Sequence, residues 1–141
     1  MHKYDAFIQK ELTSHLSQGE TIKVTGFLFT KPLSASVTSY GLSLMGDGYF
    51  FAALTGKQIF FIATEMGFAS LKMINKGVNK IPFTDIKSIH SSGFLNQKMF
   101  VIELKNSNNL TFRLNSLATQ YASGQKEFIE SLMSFHQEVN L

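Results

Sequence analysis

Two apolar stretches in the middle of the chain form the clearest pattern in the sequence. Residues 49–54 and 59–63 consist of aromatic and aliphatic side chains, and residues 55–58 between them have the composition of a turn. This arrangement predicts a β-hairpin, with Gly56 supplying a positive φ. Antiparallel strands commonly expose one face to water. Because both stretches are apolar on both faces, we expect the hairpin to be covered on one side by a barrel interior and on the other by a helix or partner.

Alternating polar and apolar positions predict further strands on both sides of this hairpin. We expect them at residues 20–29, 68–75, 78–83, 86–91, 99–105 and 110–114. Pro82 should bend or end its strand. The three-residue spacing of Ile86 and Ile89 places these two side chains on different faces of a regular strand.

Helical periodicity occurs at both ends of the chain. Residues 4–17 predict an amphipathic helix, in which His15 is a half-buried packing residue. A second helix is expected to begin between Ser116 and Ser123, either of which could serve as its N-cap. Residues 1–19 then form an N-terminal helical extension, and residues 20–141 form the remainder of a single domain.

Composition restricts the classes of function. The 141 residues are enough for one domain with a real core, and the absence of cysteine excludes disulfides and thiolate metal sites. No signal peptide or membrane-spanning run is evident, so we expect a cytoplasmic protein. The net charge is +3, and Arg113 is the only arginine, which argues against nucleic acid as a partner.

Two motifs carry a resemblance to a known family. Residues 54–61 read LTGKQIFF and residues 81–89 read IPFTDIKSI. With the order of strands and the C-terminal helix, they resemble the bacterial pleckstrin-homology-like domains over roughly residues 20–137. The resemblance implies an α+β protein, mainly β with helices: a barrel or sandwich of about seven antiparallel strands, a capping C-terminal helix and an added N-terminal helix. It also implies binding or assembly, although Gln58 stands where family members often have Arg or Lys.

The polar side chains show no arrangement typical of catalysis. His90 lies beside Ser91 and Ser92, but neither an orienting group nor an oxyanion hole can be assigned. Glu103 lies in mid-strand and is expected to face solvent. The histidine spacing does not suit a metal. We therefore predict no catalytic, metal or cofactor-binding residues.

Two segments are candidate interaction surfaces. Residues 32–46 lack charge and could bind a partner or pack as an extra strand. Their apolar candidates are Val37, Tyr40, Leu42, Leu44 and Met45. A weak site for an anionic surface could combine the side chains of Lys57, Lys72, Lys76 and Lys80. Lysines of this kind ordinarily form a solvated face.

These features favour a non-catalytic module that mediates protein–protein contacts or self-association. The first alternative is a peripheral membrane module that binds anionic lipid. The second is a small-ligand barrel or an enzyme, supported only by the ability of a barrel to enclose a cavity.

Overall fold

The computed structural model describes residues 3–29, 48–65, 71–94 and 96–139. Within these ranges the chain forms seven antiparallel strands and two α-helices. The strands are β1 (Val24–Phe29), β2 (Tyr49–Leu54), β3 (Gln58–Thr64), β4 (Val78–Pro82), β5 (Ile86–Phe94), β6 (Gln97–Leu104) and β7 (Asn109–Asn115). The helices are α1 (Lys3–Leu12) and α2 (Gln125–Val139).

The strands follow the order β4-β3-β2-β1-β7-β6-β5. The pairing of β1 with β7 is recorded at one position, Phe29 opposite Arg113. The sheet therefore consists of a four-stranded and a three-stranded half joined at that point. Over the described residues no pairing joins β4 to β5, so the sheet is not closed into a barrel. The predicted α+β architecture, with about seven antiparallel strands and a helix at each end, is confirmed as a sandwich-like form.

The main core lies between the two halves of the sheet, and α2 closes one end of it. Leu28, Phe61, Phe100 and Phe112 contribute from the strands, and Phe128 contributes from α2. The helix packs closely because β1 has a glycine beneath it. A Cβ atom built on Gly26 would lie only 2.6 Å from Cγ of Phe128.

A second hydrophobic cluster covers the opposite face of β1, β2 and β3. Tyr4, Ile8 and Leu12 of α1 are buried against Phe51 and Phe60 of the hairpin. The side chains of β2 and β3 thus alternate between two cores, which explains why both strands are apolar throughout. The prediction that this hairpin is covered on both sides is confirmed, and α1 is its outer cover.

The sheet opens beyond the contact between β1 and β7, and the side-chain amide of Gln125 fills the gap. Its Oε1 accepts a hydrogen bond from the Phe27 N–H at 2.7 Å. Its Nε2 donates to the carbonyl oxygens of Phe27 at 2.8 Å and of Asn115 at 3.1 Å. Gln125 is fully buried, so its amide takes the place of a neighbouring strand at Phe27.

The N-terminal predictions require correction. The first helix ends at Leu12, and a 3₁₀ turn at Thr13–His15 follows. His15 is exposed, so its predicted packing role is wrong. The first strand begins at Val24 and not at residue 20, because Glu20 enters a hydrogen-bond network described below.

Three later predictions are also wrong. Of the strand predicted at residues 68–75, residues 72–75 form no strand and Leu71 makes an isolated bridge, while residues 68–70 lie outside the described residues. A register shift between Ile86 and Ser88 interrupts β5, so Ile86 and Ile89 both enter the main core. The C-terminal helix begins at Gln125, beyond the interval predicted for its start.

Two details of the hairpin and its neighbour follow from side-chain chemistry. The β2–β3 turn does not use a positive φ at Gly56; Oγ1 of Thr55 accepts hydrogen bonds from the N–H groups of Lys57 and Gln58. Pro82 ends β4, as predicted.

Among the described residues, no helix is both long and apolar enough to cross a bilayer.

Candidate functional site

A groove of about 430 Å³ opens where α2 passes the ends of β1, β2 and β3. Its apolar lining residues are Val24, Leu54, Ile59, Phe83, Ile89, Leu132 and Phe135. A volume of this size is within the usual range of ligand and peptide sites. The groove is therefore the leading candidate for a binding site on the described surface.

The groove wall opposite α2 is fixed by backbone pairing. Leu54 and Ile59 lie opposite each other at the turn end of the hairpin. Phe83 begins the 3₁₀ turn after β4, and its N–H donates to the Lys57 carbonyl at 2.9 Å. The ring centroids of Phe83 and Phe135 are 4.9 Å apart, so the 3₁₀ turn and α2 meet through an aromatic contact.

The rim of the groove is charged. Glu127 and Glu130 lie on the exposed side of α2, while Lys23 lies at the start of β1. The Lys23 N–H donates to the Leu54 carbonyl at 2.7 Å, which fixes its backbone beside the hairpin. The α2 side of the rim is thus acidic, and the groove favours an apolar occupant with a basic flank.

A buried carboxylate, Glu20, lies behind the groove. Thr55, which lines the groove, donates from Oγ1 to Glu20 Oε2 at 2.5 Å. Gln58 Nε2 donates to both carboxylate oxygens, at 3.2 and 2.9 Å. The Ser17 N–H and hydroxyl each donate to Oε1 at 3.0 Å.

These donors stabilise the charged form of Glu20. Burial is the largest single influence and acts to raise the pKa, but the hydrogen bonds from Thr55, Ser17 and Gln58 together outweigh it. They lower the pKa of Glu20 from 4.5 to about 2. The carboxylate thus stays ionised at neutral pH and ties the segment before β1 to the hairpin turn. This arrangement holds a groove wall in place and provides no proton donor.

Neither this network nor the groove was predicted from the sequence. One signal for the network was present: Ser17 and Glu20 have the S-x-x-E spacing in which a glutamate side chain accepts from a backbone N–H three residues earlier. The groove has no comparable signal, because its lining comes from six separate parts of the chain.

The four candidate lysines do not form one patch. Lys57 lies at the hairpin turn, whereas Lys72 and Lys76 lie near the opposite end of β3, roughly 20 Å away along the strand. Lys72 Nζ is 3.4 Å from a Glu65 carboxylate oxygen. Lys80 is exposed on β4 opposite Phe60. The structure therefore separates Lys57 from Lys72 and Lys76, and Lys80 lies between them along β3.

The five apolar candidates Val37, Tyr40, Leu42, Leu44 and Met45 lie outside the described residues. The choice between a partner-binding segment and an extra strand at residues 32–46 therefore stays a prediction.

His90 contacts two polar side chains on the outer face of β5 and β6. Ser88 Oγ is 3.0 Å and Glu103 Oε1 is 3.1 Å from the same ring nitrogen, Nε2. A Ser–His–acid triad needs the nucleophile and the carboxylate on different ring nitrogens. This cluster therefore does not have triad geometry. Glu103 does lie on the predicted outer face, but it is partly covered and contacts His90, which the sequence analysis missed.

Over the described ranges, no three side chains of His, Asp or Glu lie close enough together to hold a metal ion.

Comparisons with known proteins bear on the fold alone. No family model matches the chain, and no curated protein is significantly similar to it. Among solved structures, the chain is similar to the hSac2 domain of human phosphoinositide phosphatase Sac2, with a TM-score of 0.50 and 10% sequence identity. The match covers 96% of this chain and 78% of that domain structure. At this identity the likeness supports the fold and assigns no activity.

Proposed function

We propose that this protein is a non-catalytic binding module that mediates protein–protein contacts through the groove beside α2. The observation that carries the proposal is the combination of an apolar floor with an acidic rim on α2. Around the groove, the polar network centred on Glu20 stabilises the wall, and donors from Ser17, Thr55 and Gln58 bond to its carboxylate oxygens. The arrangement favours binding over chemistry.

The proposal has a physical basis in the composition of the groove. Placing one large apolar side chain in such a site contributes about 1.5–3 kcal/mol. Glu127 and Glu130 then favour a lysine or arginine beside that side chain and disfavour an acidic flank. The preferred occupant is therefore an apolar segment of a protein with basic neighbours.

Cytoplasmic localisation and membership of the bacterial pleckstrin-homology-like domains are part of the same proposal. The sequence motifs at residues 54–61 and 81–89 support the resemblance. The similar fold of the human phosphoinositide phosphatase domain assigns no substrate to this protein.

A peptide array tests the groove directly. Each peptide would carry a central apolar pair flanked by lysines, by glutamates or by serines. We expect the protein to bind the lysine-flanked peptides, and Ser134→Trp, which places a bulky ring at the groove lining, to abolish that binding. Ser14→Trp, on the exposed 3₁₀ turn, is the matched control and should bind normally. Equal binding by Ser134→Trp, or no binding by the unmodified protein, would contradict the proposal.

A further inference from the structure

In its described part, residues 71–77, the connection between β3 and β4 carries two large apolar side chains outside any core. Met73 is 46% and Ile74 is 37% exposed, and both lie between the exposed residues Lys72 and Lys76. Large exposed apolar side chains that lie next to each other and are rimmed by charge are typical of an interaction site. We call residues 72–76 the apolar tip.

Hydrogen bonds hold the apolar tip in position from both sides. On one side, the Lys72 N–H donates to the Glu65 carbonyl at 3.0 Å, and Thr64 Oγ1 donates to the Lys72 carbonyl at 2.6 Å. On the other side, the Lys76 N–H donates to the Ala63 carbonyl at 2.8 Å.

The helix α1 adds further support. Tyr4 Oη donates to the Leu71 carbonyl at 3.0 Å, and Asn75 Nδ2 donates to Glu11 Oε1 at 3.1 Å. The exposure of Met73 and Ile74 is thus imposed by a fixed backbone, and less ordering entropy is lost when a partner binds.

The apolar tip and the groove have complementary chemistry. The tip presents an apolar pair with lysines on both sides, and the groove presents an apolar floor beside Glu127 and Glu130. They lie near opposite ends of β3: Ile59 lines the groove, whereas Ala63 and Thr64 bind the tip. The distance along the strand is roughly 15 Å, so the rigidly held tip cannot fill the groove of its own chain.

We infer that the apolar tip of one copy of this chain docks in the groove of a second copy. This inference rests on the proposed function of the groove and names its occupant. The contact is heterologous, since different surfaces of the two copies meet, and a pair of copies joined in this way leaves one tip and one groove free. Repetition of the contact produces a ring if the rotation closes and an open chain if it does not.

A second copy suits the apolar tip better than an anionic bilayer does. Lys72 is paired with Glu65, so Lys76 is the main basic side chain that the tip offers to an acidic partner, and one lysine is enough for a contact with the Glu127–Glu130 side of the groove. Membrane attraction of this electrostatic kind requires several basic residues close together. The groove, by contrast, matches both the apolar pair and the basic flank of the tip within the same chain.

Sedimentation velocity from about 10 µM to about 1 mM tests the inference, because a contact this small should be weak. We expect the average mass of the full chain to rise with concentration. The tip variant Met73→Ser/Ile74→Ser and the groove variant Ser134→Trp should each remain monomeric. Leu117→Ser, which removes an apolar side chain that is 59% exposed outside the tip, and Ser14→Trp are the matched controls and should associate normally.

Mixing the two variants distinguishes this contact from other modes of association. The tip variant retains a groove, and the groove variant retains a tip, so the mixture should form a one-to-one dimer and nothing larger. Lys76→Glu should weaken association about fivefold or more at low salt, and adding Glu127→Lys and Glu130→Lys to the same chain should restore it.

The outcomes separate this inference from the proposed function. A monomer at all concentrations would overturn the inference, and the lysine-flanked peptides would then show whether the groove still binds another protein. Association that survives both variants would also overturn it. Tip-dependent pelleting with phosphatidylserine vesicles, without self-association, would assign the tip to a membrane and contradict docking between copies.

Discussion

Replacing Gln125 with leucine should destabilise the protein, because the side-chain amide stands in for a missing strand at Phe27. The Phe27 N–H and carbonyl bond to this amide at 2.7 and 2.8 Å, and the Asn115 carbonyl accepts at 3.1 Å. Leucine has a similar volume but cannot form hydrogen bonds. The variant would therefore bury three backbone polar groups without these partners.

The loss of unfolding free energy in Gln125→Leu follows from these contacts. Each buried backbone group that loses its partner costs about 1–3 kcal/mol, and some of them will recover a partner by small movements. The added apolar burial of leucine returns about 1–2 kcal/mol. The expected net loss is about 2–4 kcal/mol, which lowers the melting temperature of a domain of this size by roughly 10 °C.

Urea and thermal unfolding of Gln125→Leu would measure this loss. Gln120→Leu is the matched control, because Gln120 is exposed in the connection just before α2; this variant should change the unfolding free energy by less than about 0.5 kcal/mol. If Gln125→Leu were as stable as Gln120→Leu, the amide would not be holding β1 and the start of α2 together. The account of how the two sheet halves are joined would then be wrong.

Two further predictions concern the groove wall and the seat of α2. Because the pKa of Glu20 is lowered from 4.5 to about 2, its contribution is fully present above pH 4.5 and is lost as pH falls toward 2. Since nearby solvent screens the carboxylate, we expect its contribution to the unfolding free energy to be about 1–2 kcal/mol. Unfolding measured as a function of acid pH should show this loss of stability, and Glu20→Gln should lack it. An identical acid response in Glu20→Gln would refute the role of the carboxylate. Gly26→Ala should cost about 1–3 kcal/mol, because the new Cβ would lie 2.6 Å from Cγ of Phe128. Gly56→Ala, whose Cβ would meet nothing closer than 3.5 Å, is its control, and equal unfolding midpoints for the two variants would contradict the proposed close approach.

The sequence predicted the hairpin well because its pattern is local. Apolar residues at consecutive positions of β2 and β3 required two covers, and the structure supplies the main core and α1. Hydrophobic patterning likewise predicts the terminal helices and most of the strands, whereas the count of about seven antiparallel strands came from the family resemblance.

The predictions failed where a distant contact overrides the local pattern. Ile86 and Ile89 share a core because of a register shift, which their spacing alone does not reveal. Residues 72–75 lie in a segment predicted to be a strand, but individual hydrogen bonds tie residues 71–76 to β3 and α1. Both outcomes depend on contacts between elements that the spacing of residues in the sequence does not reveal.

The groove could not be predicted for the same reason. Val24, Ile59, Phe83 and Phe135 each look like ordinary packing residues in the sequence, and only the folded chain places them around one opening. The Glu20 network is intermediate, because its Ser17 contact is local while its Thr55 and Gln58 contacts depend on the hairpin. The local Ser17–Glu20 contact could be recognised in the sequence, whereas the meeting of distant residues around the groove could not.

The most direct test of the central claim is a nuclear magnetic resonance titration of the isotope-labelled protein with a lysine-flanked apolar peptide. We predict that the backbone amide shifts concentrate at Val24, Ile59, Phe83 and Phe135, and that Ser134→Trp abolishes them. Shifts that are absent, or that concentrate on a surface away from the groove, would contradict the claim that this protein binds its partners there.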